Sequence, residues 1–295
     1  MTDAFFAPLP NRGLVSLSGA NVTEFLQGLV TNDVTPVGEG RAVYAALLTP
    51  QGKYLHDFFI FPWNGAVFIE CESRRREDLV RRLARYRLRA RIDIVDTGAA
   101  FETFAVFGTG AARLPGIAAE EGQLAAVGDG IAFTDPRMAV LGVRASFPAG
   151  LGGISLREAG AAPVDKAAYD ALRLSHGVAE GDPEIEAEKS YPMDFGLDAL
   201  HGISFTKGCY VGQEVTARMK SRALVRRRLI PVDIEGSAPP IGTPIGVGSE
   251  SAGELRAVSG NIGLALVRID MADRAERGEV CLEADGVRLH PRPAR

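Results

Sequence analysis

Residues 204–218 read SFTKGCYVGQEVTAR. A lysine, a lone cysteine, two glycines, a glutamine and a glutamate stand within positions 207–214. Gly208 permits a tight turn, because glycine adopts backbone angles closed to other residues. A helix over 210–219 is expected to follow despite Gly212, with Cys209 at its N-terminus. There the helix dipole and free N–H groups favour a thiolate, and Lys207 adds positive charge. The same letters also suit a small buried cysteine in a turn. Residue chemistry therefore leaves nucleophile, metal ligand and turn residue open. His201 lies eight positions earlier, with nothing to orient it toward Cys209, which argues against a cysteine hydrolase. Gln213 and Glu214 can pair with the N–C–N edge of a heteroaromatic ring, or can cap the helix and offset its dipole.

Outward from this segment, the chain has 295 residues, 46% hydrophobic and 24% charged, as expected for a globular protein of roughly two compact domains, or of one large domain with an appendage. A net charge of -4 argues against a dedicated DNA or RNA binder. No apolar run approaches the ~20 residues of a membrane helix. The first residues show neither signal-peptide nor transit-peptide features, so a cytoplasmic protein away from membranes is expected. Cys71, Cys209 and Cys281 are far apart and odd in number, which fits a reducing compartment without a disulfide framework. With no CxxC, no HExxH and scattered histidines, no metal site built by this chain alone is expected.

Apolar periodicity marks a first helix over 21–30, with Asn21 and Glu24 placed as a capping box. Strands are expected over 42–49 and 54–61, joined by a Pro50-Gln51-Gly52 turn, then over 67–71. A basic helix over 74–86 would bury Leu79, Val80, Leu83 and Tyr86. Further strands are expected over 92–95, 104–107, 131–134 and 140–144. The Gly/Ala/Pro-rich stretch 145–162 reads as a connector, 165–175 as a helix and 180–191 as irregular. After residue 228, short β runs alternate with Gly, Pro and Ser turns, which predicts an all-β appendage built as a small barrel. The mixture is α+β.

Two basic stretches stand out: Arg74, Arg75, Arg76, Arg81, Arg82, Arg85, Arg87, Arg89 and Arg91, and Lys220, Arg222, Arg226, Arg227 and Arg228. They suit a solvated face, RNA contact, or attraction of an acidic polyglutamate tail. No aromatic RNA-binding motif accompanies them, so RNA contact is not expected. Trp63 and Phe58, Phe59, Phe61 and Phe68 read as core. Cys71 and Cys281 read as buried hydrophobes.

KGCYVGQE, 207–214, resembles the signature of the YgfZ family, folate-binding relatives of the glycine-cleavage aminomethyltransferase whose mitochondrial members act in iron–sulfur cluster assembly. FLQGLVTNDV (25–34), LLTPQGKYLHDFFI (47–60) and LARYRLRARIDI (83–94) resemble further family segments. So do Leu172-Arg173 with Gly177-Val178, Tyr191-Pro192-Met193-Asp194, and GLALVR (263–268). The resemblance spans nearly the whole chain. The octapeptide is its most specific part.

The resemblance implies an aminomethyltransferase-like folate-binding fold. Two interleaved α+β subdomains over 1–228 would surround a central cavity, and a C-terminal β-barrel would occupy 229–295. The cofactor implied is tetrahydrofolate or a derivative, with a transient iron–sulfur cluster through Cys209. Lys207, Cys209, Tyr210, Gln213 and Glu214 match the signature. Asn32, Asp33, Tyr54 and Asp57 match positions near the cavity, and Arg173 the arginine of the helix before the signature. Asp194 stands where the family usually has glutamate, and Leu174-Ser175-His176 lacks the acid that grips the pterin in the transferases. The function implied is support of iron–sulfur cluster assembly or repair in client enzymes, such as radical enzymes of tRNA modification. Partners would be folate and iron–sulfur client or assembly proteins. The alternatives are a folate-dependent aminomethyl or demethylating transferase, with Asp33 or Asp57 as its acid, and a non-catalytic scaffold for assembly partners.

Overall fold

The strand Tyr54–Trp63 has nearly every side chain buried, which requires cover on both faces of its sheet. Phe59 and Phe61 point to one side, Phe58 and Ile60 to the other, following the two-residue period of a strand. This strand lies in a five-stranded antiparallel sheet of order Val43–Leu48, Tyr54–Trp63, Ala66–Glu72, Arg12–Gly19 and Ile92–Asp96. Helices Val22–Gln27 and Arg76–Arg87 cover the Phe58 side through Val22, Leu26, Leu79 and Leu83. On the other side, Phe59 and Phe61 meet Phe133 of a second sheet, with ring centroids 5.6 and 5.0 Å apart.

That second sheet has the order Ala162–Pro163, Phe5–Pro8, Phe101–Phe107, Val143–Pro148, Gly130–Thr134 and Leu124–Val127. Its strand Phe5–Pro8 comes from the N-terminus, so the chain visits this sheet, builds the first one, and returns. The two subdomains are interleaved for that reason. A closed six-stranded barrel follows, from Arg227–Ile234 to Val287–Pro291. Its Leu264 and Leu266 enter the same core as Tyr44, Phe59, Met193 and Tyr210. The computed structural model describes residues 3–88, 90–111 and 120–292.

Between the two sheets lies a buried ionic network. Arg12 Nε is 3.1 Å from Glu70 Oε1, and Arg144 Nη2 lies 2.9 Å from the same oxygen. Arg144 and Arg137 both reach Glu180 Oε1, at 3.1 and 2.8 Å, and Arg137 also pairs with Asp135 at 2.7 Å. The guanidinium carbons of Arg137 and Arg144 each stand 4.8 Å from the Phe59 ring centroid. Such charges are tolerable inside a protein only when paired and hydrogen-bonded.

Several expectations need correction. Residues 145–162 are no simple connector: they complete the strand Val143–Pro148 and form the helix Gly152–Glu158. Residues 139–141 form a short 3₁₀ turn rather than strand. Asn21 takes a left-handed conformation and makes no side-chain cap, so the capping box does not form. Tyr86 is exposed rather than buried, and so is Cys281. The hairpin about Gly52 forms, and Trp63 with its phenylalanine neighbours is core. Arg89 of the first basic stretch lies outside the described residues.

Burial pushes the Glu180 carboxyl upward, but Arg144, Arg137, Arg12 and Arg173 outweigh it and hold it well below the ordinary 4.5. A depressed carboxyl contributes stability that is present above 4.5 and lost as pH falls through the folded-state value. Arg144→Met leaves Glu70 and Glu180 short of a cation, and a loss of ~3–5 kcal/mol in urea unfolding is expected. Glu180→Gln should flatten the acid limb of stability against pH, measured in the same way.

Candidate functional site

The 204–212 segment is held to the turn after the first helix. Thr31 Oγ1 donates to the Gly202 carbonyl at 2.6 Å, and the Ser204 amide donates to the Thr31 carbonyl at 3.0 Å. Lys207 Nζ then donates to the carbonyls of Val30 and Asn32, at 2.7 and 2.6 Å. It also lies 5.4 Å from the Tyr210 ring centroid. Burial pulls its pKa from 10.5 down to about 8, against the opposing pull of Asp33. Lys207 is therefore an anchor that fixes the loop carrying Cys209.

Cys209 is exposed. The helix begins at Gln213, not at Tyr210, so Cys209 sits on the loop ahead of it rather than at the helix end. Contrary to the expectation from sequence, the helix dipole does not act on Cys209 from the first turn. Gly212 sets that boundary with φ of 83°, and a Cβ there would stand 2.5 Å from the Thr49 carbonyl oxygen. The signature loop thus packs directly on the hairpin turn around Gly52. Gly208 also has positive φ, at 95°, but faces open space. Gln213 Oε1 accepts the Tyr210 amide at 3.1 Å, which ties the loop to the start of the helix, while Glu214 is exposed in the first helical turn. Tyr210 is buried, and burial raises its pKa.

Asn32 donates to the carbonyls of Tyr44 and His201, at 2.9 and 2.6 Å, and accepts the Asp33 amide. Asp33 accepts from the Thr35 amide and hydroxyl and from Gln27; the Thr35 amide is the main cause of its lowered pKa. These two residues join Lys207 in one cluster.

Tyr54 and Asp57 form a second, deeper cluster. Residues three apart on a regular strand face opposite ways. Here a bulge between the Leu47–His56 and Leu48–Tyr54 pairs inserts an extra residue and turns both side chains inward. Tyr54 OH donates to Asp57 Oδ1 at 2.6 Å, the Gly181 amide donates to the same oxygen at 3.0 Å, and Tyr44 OH donates to Oδ2 at 3.2 Å. Asp57 is 2% exposed, so this carboxylate faces the chain's own donors. Tyr44 links the clusters, with its carbonyl bound by Asn32 and its hydroxyl on Asp57.

Arg173 and Asp194 stand apart from both. Arg173 is clamped by Glu184 at 2.7 and 2.6 Å, by Asp170, and by the Val178 carbonyl. It holds the 178–184 loop against its own helix. Asp194 is buried, which raises its pKa against Arg227, 3.3 Å away, and Lys53. Sequence reasoning missed Thr31, Tyr44, Arg12 and Glu180. Only Tyr44 left a signal, a tyrosine in a strand among small alanines.

The fold is that of an aminomethyltransferase. The crystal structure of glycine cleavage system aminomethyltransferase T from Bartonella henselae matches with a TM-score of 0.77 and 16% identity, covering 99% of this chain and 86% of that one. Residues 11–124 match the model of the GCVT N-terminal domain, and residues 226–295 match that of the CAF17 C-terminal beta-barrel domain. Full-length similarity is more specific. The mitochondrial iron-sulfur cluster assembly factor IBA57 homolog of Pyricularia oryzae is 34% identical over 94% of this chain and 75% of its own length. That of Aspergillus clavatus is 30% identical over 97% and 74%. This chain belongs to the IBA57 family. The likeness to YgfZ is thereby refined to the wider group that both share, with IBA57 as the named member. These relatives are named as mitochondrial, which overturns the expectation of a cytoplasmic protein.

Lys207→Met removes the donor from two carbonyls and should cost ~1–3 kcal/mol. Because the folded-state pKa of about 8 lies below the ordinary 10.5, wild type should gain on this variant as pH rises between those values. Gly212→Ala combines a forbidden φ with a backbone clash and should cost clearly more than Gly208→Ala, which meets only the ~1–3 kcal/mol backbone strain. Parallel urea titrations of the two alanine variants measure the difference.

Proposed function

We propose that this chain supports iron–sulfur cluster assembly, with Cys209 giving one thiolate to a cluster shared with a partner protein. The carrying observation is an exposed thiol on a loop fixed from both sides, by Lys207 before it and Gly212 after it. Cluster irons take thiolate ligands, and one thiolate per chain leaves the remaining ligands to a partner. Cys209 gives up its proton on coordination and displaces one existing ligand from iron. Cys71 does not suit this role: it is buried, and burial pushes its thiol up to about 12. The names of the relatives support the reading. Clients would be iron–sulfur enzymes, including the radical enzymes that modify tRNA.

A reduced folate is the small molecule proposed for the body of the protein, on the strength of the shared fold. Two of the residues assigned to it, Asp57 and Arg173, are not free to take it as they stand. Asp57 is enclosed by Tyr54, Tyr44 and Gly181, and Arg173 is clamped by Glu184. The same geometry counts against the transferase alternative, since Asp57 and Asp33 are both engaged within the chain.

Anaerobic transfer of a [2Fe–2S] cluster to the chain in the presence of a cluster carrier tests the main reading, followed by visible circular dichroism. Cys209→Ser should abolish the new signal, and Cys281→Ser should leave it. An unchanged signal in Cys209→Ser would move weight to the scaffold alternative. Calorimetric titration with tetrahydrofolate tests the second component: saturable binding supports it and none removes it.

A further inference from the structure

Residues 180–188 carry an acid at every second position: Glu180, Asp182, Glu184, Glu186 and Glu188. Each meets an arginine, and the arginines come from different parts of the fold. Glu180 pairs with Arg137 and Arg144 between the sheets. Asp182 faces Arg74, which follows the strand Ala66–Glu72, at 3.5 Å. Glu184 pairs with Arg173 at 2.6 Å, and Glu186 with Arg256 of the barrel at 3.2 Å. Glu188 pairs with Arg82 of the helix Arg76–Arg87 at 2.9 Å. Arg256 also donates from Nε to the Glu184 carbonyl at 3.0 Å, and from Nη2 to that of Pro183.

The segment 181–187 belongs to no helix or strand. Its two ends are fixed. Glu180 sits in the buried network, and the Glu188 amide and Ser190 carbonyl bond the backbone of Tyr54 at 2.7 and 2.9 Å. Gly181 and Glu188, with φ of 64° and 65°, mark the turns at either end. Between them Ile185 is the one fully buried side chain, so the hold is largely ionic. Partly exposed ion pairs are weakened by salt. Both residues that are closed to the proposed folate are closed by this segment. The Gly181 amide donates to Asp57 Oδ1, and Glu184 clamps Arg173. The segment also walls a cavity of about 400 Å³ that Arg12, Arg74, Lys166 and Arg173 line.

We propose that 181–187 is a releasable strap, and that its withdrawal frees Asp57 and Arg173 in one movement and admits a ligand bearing more than one carboxylate. The ligand's identity rests on the folate reading; the movement does not. Withdrawal takes the Asp182 and Glu184 carboxylates from the cavity wall and leaves Arg74, Lys166 and Arg173 there. A ligand's carboxylates then replace those of the strap on the same guanidinium groups. Tyr44 and Tyr54 lie outside the strap and continue to hold Asp57. A ligand that binds only the open form loses affinity in proportion to the closed fraction, so a looser strap gives tighter binding.

Hydrogen–deuterium exchange of the full chain, read by mass spectrometry on peptides spanning 181–187, tests the opening without any ligand. The strand Tyr54–Trp63 is the internal reference. Raising sodium chloride from ~0.05 M to ~1 M should speed exchange in the strap at least ~10-fold and leave the strand unchanged. Asp182→Asn with Glu186→Gln should speed the strap similarly at low salt. With tetrahydrofolate as the probe, calorimetry should find this double variant binding at least ~3-fold tighter than wild type. Faster strap exchange with no folate binding by either protein supports the strap and removes the folate reading. Strap amides that exchange no faster than the reference strand at either salt concentration overturn the proposal. An unchanged exchange rate in the double variant, or equal folate affinity in the two proteins, overturns it as well.

Discussion

Six ionised side chains meet where the two sheets face each other: Arg12, Glu70, Asp135, Arg137, Arg144 and Glu180. Three cations and three anions cancel, and Phe59 lies under two of the guanidinium planes. Taking one ion from water costs several kcal/mol, so the group is viable only complete. The network fixes how the interleaved subdomains sit against each other. Everything nearer the surface takes its position from that registration.

From this centre outward, each layer positions the next. Glu180 brings the irregular 178–184 loop inward, and Gly181 of that loop donates to Asp57. Asp57 holds Tyr44 and Tyr54, and the backbone of Tyr44 receives Asn32. The Asn32 carbonyl receives Lys207, and Lys207 sets the loop that exposes Cys209. A fold shared with an aminomethyltransferase thus uses its buried acid to brace a loop. The chemistry proposed for this chain sits at the surface, at one thiol.

Much of this was legible in the sequence, for identifiable reasons. Pro50-Gln51-Gly52 between two apolar runs specifies a hairpin locally, and it forms. KGCYVGQE stands out as a candidate site because it gathers a lysine, a lone cysteine and two glycines within eight residues. The barrel is visible as short β runs punctuated by turn residues. The start of the signature helix was not legible: either glycine could break the backbone, and only packing against Thr49 makes Gly212 the break. The burial of Arg137 and Arg144 was equally hidden. Their letters read as surface, and apart from Asp135 beside Arg137 their partners lie tens of residues away. The bulge that pairs Tyr54 with Asp57 is set by the neighbouring strand.

The most direct test of the central claim is native mass spectrometry of the chain mixed anaerobically with a loaded cluster carrier. The expected species is a heterodimer carrying one [2Fe–2S] unit, lost when Cys209 is replaced by serine. A cluster that stays wholly on the carrier, with the wild-type chain bound or unbound, would contradict it.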